Sequence, residues 1–267
     1  MTSGGGSTGS YRDEGSGRAS PEAERLARQA AIVWGREREA LEALGLAPGA
    51  ALLDVGCGTG APLARVIADF APRLAVGVDR SAAHLARARA IAPVVHADGA
   101  RLPYATGTFD AVVMRFVLRH APSPRALIDE AARVLRPGGR LLAIDADDDS
   151  LLLDAAPPRW PALLAALKET ARRHGGDPTI GRSLKRLLAG AGLEDLRARV
   201  VPVSTEDLDA PAFVEVFLAP AARPIDDTVM PADDVRAAWG EVAAWARRPD
   251  AFAVALGFFV SGRTRVP

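Results

Sequence analysis

Between Ala51 and Asp145 the chain repeats one pattern: short, continuous apolar runs separated in most cases by helix-patterned segments. The runs are ALLDV (51–55), LAVGVD (74–79), PVVHAD (93–98), FDAVVM (109–114) and RLLAID (140–145). Val, Leu and Ile stand on consecutive positions instead of alternating with polar residues, as in strands covered on both faces. The segment APLARVIADF carries Leu63, Val66, Ile67 and Phe70 at helical spacing. SAAHLARARAIA opens on Ser81 as an N-cap, and SPRALIDEAARVLRPGG opens on Ser123-Pro124 and closes on Pro137-Gly138-Gly139. Strand and helix in alternation predict an α/β, doubly wound, mostly parallel sheet. Two later strands, near 194–203 and in the final FAVALGFFVSGR, bring the predicted sheet to seven strands.

Residues 1–17 are Gly/Ser-rich and predict a flexible tail, with Tyr11 as the one aromatic that would anchor it over a site. From Ser20-Pro21 an amphipathic helix carries Leu26, Ala30, Val33 and Trp34 until Gly45 stops it, so 18–46 reads as an N-terminal helical lid. Residues 47–267 form the main domain, interrupted by helical insertions at about 146–192 and 204–249. Both would sit at the C-terminal edge of the strands, where such sheets bind ligands, and so would wall the pocket. Val235, Trp239, Val242 and Trp245 share one helical face in the second, which reads as core.

Lys plus Arg equals Asp plus Glu at 33 each, so no excess of basic charge favours nucleic acid or an anionic membrane surface. The single cysteine, Cys57, makes no internal disulfide. No apolar run reaches membrane-spanning length, and the start lacks the pattern of a signal peptide, so a cytoplasmic protein is expected.

The loop LLDVGCGTGAP (52–62) admits two readings. Gly56, Gly58 and Ala61 satisfy the dinucleotide pattern G-x-G-x-x-G/A, whereas Asp54 with Gly56, Gly58 and Gly60 satisfies D-x-G-x-G-x-G. Asp79 ends the second run about 20 residues beyond the glycines, the place of an acid that binds ribose hydroxyls. Asp98 ends the third and is positioned to accept from an adenine amine. Asp54 ahead of the glycines makes the loop mouth acidic, which repels pyrophosphate and favours the ammonium and sulfonium of S-adenosylmethionine.

LLDVGCGTG, GVDRS, HADGARLPYATGTFDAVVMRFVLRH and ARVLRPGGRLLAID follow the motif order of class I S-adenosylmethionine-dependent methyltransferases, resembling the ubiquinone and menaquinone biosynthesis group over about residues 50–145. The resemblance implies a Rossmann-like fold and S-adenosylmethionine as cofactor, without metal. It places Asp54, Gly56, Cys57, Gly58 and Gly60 around the methionine moiety, Asp79 with Arg80 at the ribose, and Asp98, Gly99 and Ala100 at the adenine. Arg115 stands where the family has a smaller residue facing the methionine moiety, and Arg25 and Gln29 on the lid, with Tyr11, are candidates for the cofactor carboxylate or the acceptor. The implied activity is methyl transfer to a small molecule, at a hydroxyl or carboxyl oxygen first and at nitrogen or carbon next. An NAD(P)-dependent oxidoreductase and a non-catalytic adenosyl-ligand-binding protein are the alternatives, and monomer or homodimer stays open.

Methyl transfer needs positioning above all, and a base only for a protonated nucleophile. His120, just past the fourth strand, is one candidate base, with a packing or capping role as the competing reading. His174, beside GGDP in the first insertion, is the other, with simple exposure competing. His84 and His96 read as structural. DADDD (145–149) has the carboxylates a hard cation wants, but Met114 and Arg115 stand where metal-dependent relatives place further acids, so a solvated acidic loop is the expectation. Cys57 reads as a small packing residue, because no base neighbours it in the sequence.

Overall fold

The structure is a computed structural model that describes residues 21–218 and 224–266; Tyr11 and the 1–17 tail lie outside the described residues. The long amphipathic segment forms α1 (Pro21–Leu44). Gly45 adopts φ 78° and the Leu46 amide reaches back to the Leu41 carbonyl at 3.1 Å, which satisfies the last turn and stops the helix.

The repeat then gives β1 (Ala51–Val55), α2 (Ala61–Phe70), β2 (Leu74–Asp79), α3 (Ala82–Ala88), β3 (Val94–His96), β4 (Phe109–Arg115), α4 (Pro124–Val134) and β5 (Leu135–Ala146). Ser81 caps α3 as its sequence predicts, its hydroxyl accepting from the His84 amide at 3.3 Å. Ser123 makes no such side-chain bond, and α4 starts on Pro124 alone. The α4 segment stops at Val134, earlier than its glycines suggested: Leu135 already begins β5, and Pro137-Gly138-Gly139 lie in the strand where its register against β4 shifts.

Strands β1 to β5 are parallel in the order β3-β2-β1-β4-β5. The late part adds β6 (Leu152–Leu153), α5 (Trp160–Arg173), α6 (Leu184–Gly190), β7 (Glu194–Ser204), α7 (Ala210–Phe213), α8 (Ala232–Trp245) and β8 (Ala253–Arg263). β8 runs antiparallel between β5 and β7, and the two-residue β6 pairs with its start, so the sheet has eight strands where seven were expected. The sequence of β6 is too short to signal itself.

Successive residues of the central strands feed opposite cores. Leu53, Val112 and Leu141 pack with Ile128 and Ala131 of α4, whereas Leu52, Val113 and Leu142 pack with Leu41 of α1 and Leu63 and Val66 of α2. The two insertions form a third core of their own, joining Trp160 and Leu163 of α5, Phe213 of α7, and Val242 and Trp245 of α8. Leu164, Leu167, Phe217 and Leu218 of this cluster line the same cavity as Gly56 and Gly58 of the glycine loop.

Candidate functional site

At the end of β1 the chain must turn at once. The amides of Gly56 and Cys57 both donate to the Val78 carbonyl, at 2.7 and 3.1 Å, and Gly56 adopts φ 74°. A Cβ at Gly56 would lie 2.6 Å from Val117 Cγ2, so this position requires glycine for both conformation and space. Asp79 holds the loop from the neighbouring strand: its Oδ2 accepts from the Gly58 amide and its Oδ1 from the Ser81 amide, each at 2.8 Å. Each oxygen keeps a further lone pair for a hydroxyl. Asp98 lies two residues beyond the end of β3, exposed, and accepts from the Ala100 amide at 2.9 Å.

Beneath the loop is a buried charge cluster. Arg115 ends β4, with Nη1 3.3 Å from Asp54 Oδ2 and Nε 3.3 Å from Glu37 Oε2. All three side chains are nearly inaccessible. Burial pushes the Glu37 carboxyl up to about 7, against the pull of Arg115 and with the push of Asp54; burial also raises Asp54, again opposed by Arg115. Asp54 is therefore no isolated acid at the loop mouth. Two carboxyl groups share one guanidinium, and burial favours the neutral form of both acids. Asp54 Oδ1, Glu37 Oε2 and Arg115 Nη2 have no hydrogen-bond partner among the described residues. The next residue, Phe116, takes φ 50°, a strained conformation for a side chain of its size, just past the end of β4, and lines the cavity at this edge of the sheet.

A cavity of about 720 Å³ runs along this edge of the sheet. Asp54, Gly56, Cys57, Gly58, Asp79, Arg80, Asp98, Gly99, Ala100 and Arg115 line it, as do Arg25 and Gln29 from the lid. Gly60 does not: it precedes α2 at φ 82° and faces Ile91 and Ala88. Cys57 packs its Sγ where a Gly77 side chain would stand, and burial raises its thiol, which keeps it protonated. His120 is exposed at the cavity rim, at the end of the short helical turn Leu118–His120. His174 is not among the lining residues. It closes α5 with Nδ1 2.8 Å from the Thr170 carbonyl, so the geometry does not support its reading as a base.

The DADDD segment is committed to the protein's own donors. Asp145 is buried, accepts from the Arg119 and Ala146 amides at 3.0 and 2.9 Å, and is pushed up to about 6, chiefly by burial. Asp148 takes Arg119 in a two-pronged contact at 2.7 and 2.8 Å, Asp147 pairs with Arg182, and Asp149 with Lys168 and Arg182. Among the described residues no group of three or more His, Cys, Asp or Glu is arranged to hold a metal.

Sequence reasoning missed Glu37. An acid on an amphipathic helix reads as solvated, yet Glu37 falls in register with the buried Ala30, Val33, Leu41 and Leu44, and that register was its only signal. The opposite wall was also beyond reach. It comes from α5 through Leu164, Leu167 and Thr170, from the π-helical turn Val214–Leu218 that continues α7, and from β7 and β8. Arg25 ties the lid to this wall by donating to the Val216 carbonyl at 2.9 Å.

Residues 53–143 match the family model described as a methyltransferase domain. The chain is 36% identical over 137 residues to the demethylmenaquinone methyltransferase of Mycolicibacterium paratuberculosis, covering 51% of this chain and 58% of that protein. It is 35% identical over 189 residues to an uncharacterized 37.1 kDa protein in transposon TN4556 of Streptomyces fradiae, covering 66% and 52% respectively. The chain thus spans about half the length of these curated relatives. The crystal structure of the [4+2]-cyclase SpnF superimposes with a TM-score of 0.56 at 28% identity, covering 95% of this chain and 86% of that one. The fold and the matched motifs are those of a class I S-adenosylmethionine-dependent methyltransferase. The residues that match the methyltransferase domain run from β1 to β5 of the sheet, and residues of the two insertions also line the cavity.

Proposed function

We propose that this protein transfers a methyl group from S-adenosylmethionine to an oxygen, hydroxyl or carboxyl, of a small organic molecule. The observation that carries this reading is the single cavity in which the Gly56–Gly58 turn and Asp79 face an apolar wall built from the insertions. The donor set fits an adenosyl sulfonium. Gly56 lets the backbone approach, and Asp79 and Asp98 offer acceptors for ribose and adenine. When bound, the cofactor supplies a methyl carbon already activated by its sulfonium.

The chain's own residues then have three tasks. Asp79, Asp98 and the glycine turn fix the ribose and adenine. Arg25 and Gln29 close the site from the lid, as candidates for the cofactor carboxylate or the acceptor. The insertion wall excludes water and positions the acceptor, which is the main requirement of an in-line displacement. His120 at the rim is the candidate to take a hydroxyl proton, though we favour a supporting role for it.

The likeness to SpnF over most of the chain favours a second reading, in which the adenosyl ligand is bound but an apolar substrate is cyclised instead of methylated. One experiment separates them. The protein is incubated with methyl-labelled cofactor and a panel of phenols, carboxylic acids, amines, quinones and unsaturated chains, and products are read by mass spectrometry. A labelled product supports methyl transfer, and an isomer of unchanged mass supports cyclisation. Calorimetric preference for NADP over S-adenosylhomocysteine would overturn both.

A further inference from the structure

One guanidinium stands between two buried acids where the lid meets the sheet. Arg115 Nε lies 3.3 Å from Glu37 Oε2 of α1, and its Nη1 lies 3.3 Å from Asp54 Oδ2 of β1. The side chains of Glu37, Asp54 and Arg115 are 2%, 1% and 6% exposed, and all three residues line the cavity beside the glycine turn. Two further charges act on the acids. Arg65 of α2, which stands over the Trp34 ring, attracts Glu37, and Asp79 repels Asp54.

A buried cluster does not tolerate surplus charge. With both acids ionised, two carboxylates would face one guanidinium away from water, so the surplus must be removed by a proton or matched by a second cation. No hydrogen bond among the described residues holds Glu37 Oε2 or Asp54 Oδ1 in the ionised form. In the protein alone a proton therefore removes the surplus, and burial raises both carboxyls, Glu37 to about 7.

We propose, building on the methyltransferase reading, that Glu37 is a positioning residue for the amino-acid end of the cofactor: the cofactor's ammonium takes the place of a proton on the Glu37–Arg115–Asp54 cluster, so that binding and deprotonation of Glu37 occur together. The proton leaves to solvent, and no bond in the cofactor changes. Direct contact with Glu37 is not required, because charges a few ångströms apart in a buried setting act on one another through the intervening atoms. Once ionised, Glu37 holds Arg115 from the lid side by a full ion pair, which fixes α1 over the occupied site. Glu37 acts through Arg115 and touches no reacting atom.

Two ligands that differ at this end test the exchange: S-adenosylhomocysteine, which carries the ammonium, and 5′-methylthioadenosine, which lacks the amino-acid end. Each is titrated calorimetrically into the full chain in buffers of different ionisation enthalpy, which counts the protons released. At pH 7, where Glu37 is about half protonated, S-adenosylhomocysteine is expected to release about half a proton more than methylthioadenosine. Below pH 7 its affinity should fall relative to methylthioadenosine, approaching about tenfold per pH unit. Glu37→Gln keeps the shape of the side chain and should abolish both the extra release and the steeper pH dependence, whereas loss of a purely structural contact would lower the melting temperature and leave the proton count unchanged. The wild-type comparison of the two ligands decides the matter even where the variant does not fold. Equal proton release by the two ligands, or an unchanged release in Glu37→Gln, would overturn the proposal while leaving methyl transfer standing. Failure of S-adenosylhomocysteine to bind the wild type would instead remove the methyltransferase reading.

Discussion

Arg115 Nη1 lies 3.3 Å from Asp54 Oδ2 in a setting where both side chains are nearly buried. The guanidinium thereby joins the end of β4 to the end of β1, directly below the glycine turn. Its Nε meets Glu37 of the lid helix at the same distance, so a single cation ties the lid to the floor of the site. Removing one member of such a cluster leaves buried charge without compensation, which is worse than never having buried it.

Replacing Arg115 with Met is therefore expected to destabilise the protein by roughly 3 to 5 kcal/mol, the range for breaking a buried pair by deleting one partner. Urea denaturation of the variant at neutral pH measures this. A loss below about 1 kcal/mol, the scale of an exposed pair, would show that the cluster is solvated in solution.

Glu37 makes stability depend on pH in a defined direction. Its carboxyl is raised from 4.5 to about 7, so between these values the folded protein binds more protons than the unfolded chain. Its contribution is greatest below pH 4.5 and falls as pH rises toward 7, by on the order of 3 kcal/mol over the window. Asp145, raised from 3.8 to about 6, slopes the same way. Glu37→Gln should flatten the decline between pH 4.5 and 7 without removing the share due to Asp145, as followed by denaturant midpoints across that range.

Asp79 is expected to hold the ribose while it also fixes the Gly58 amide. Asp79→Ala should weaken S-adenosylhomocysteine by about 1 to 3 kcal/mol, the cost of leaving hydroxyls and an amide without their acceptor. Calorimetry of wild type and variant decides it, and equal affinities would place the ribose elsewhere.

Gly56→Ala adds a methyl group at 2.6 Å from Val117 Cγ2, on a backbone with φ 74°. Both the contact and the conformation are unfavourable, and roughly 1 to 3 kcal/mol of stability should be lost. Thermal melting reports that loss, and cofactor titration should show weaker binding as Val117 and the loop shift.

His120→Ala should lower turnover less than about tenfold once an acceptor is found, since removing a working base usually lowers it by 100-fold or more. The pH profile should then follow ionisation of the acceptor. A large turnover loss with unchanged cofactor affinity and melting temperature would instead make His120 the base.

The positions of β1 and β2 were legible to the residue, because strands covered on both faces are written as unbroken apolar runs. β3 was less so: it stops at His96, and Asp98 reaches the cavity from the following turn instead of from a strand end. The glycine turn and Asp79 were readable because both belong to one local unit, strand-turn-helix-strand, whose spacing is fixed by backbone geometry. Gly60 shares that local pattern but faces Ala88, a contact made by α3 and invisible in the motif itself. His174 looked equally free to reach the pocket, until the end of α5 set its ring against the Thr170 carbonyl.

By itself, the sequence determined the order of the strands and helices from β1 to β5, the turn after β1 and the acids around it, since periodicity and glycine requirements act over a few residues at a time. Only the tertiary structure decided that Glu37, Arg115 and Asp54 share one buried charge cluster, and that the two insertions join in one core. Those relations link residues up to about a hundred positions apart in the chain, where no local pattern constrains distance. Burial and charge compensation, which set their energies, exist only once the chain has closed around them.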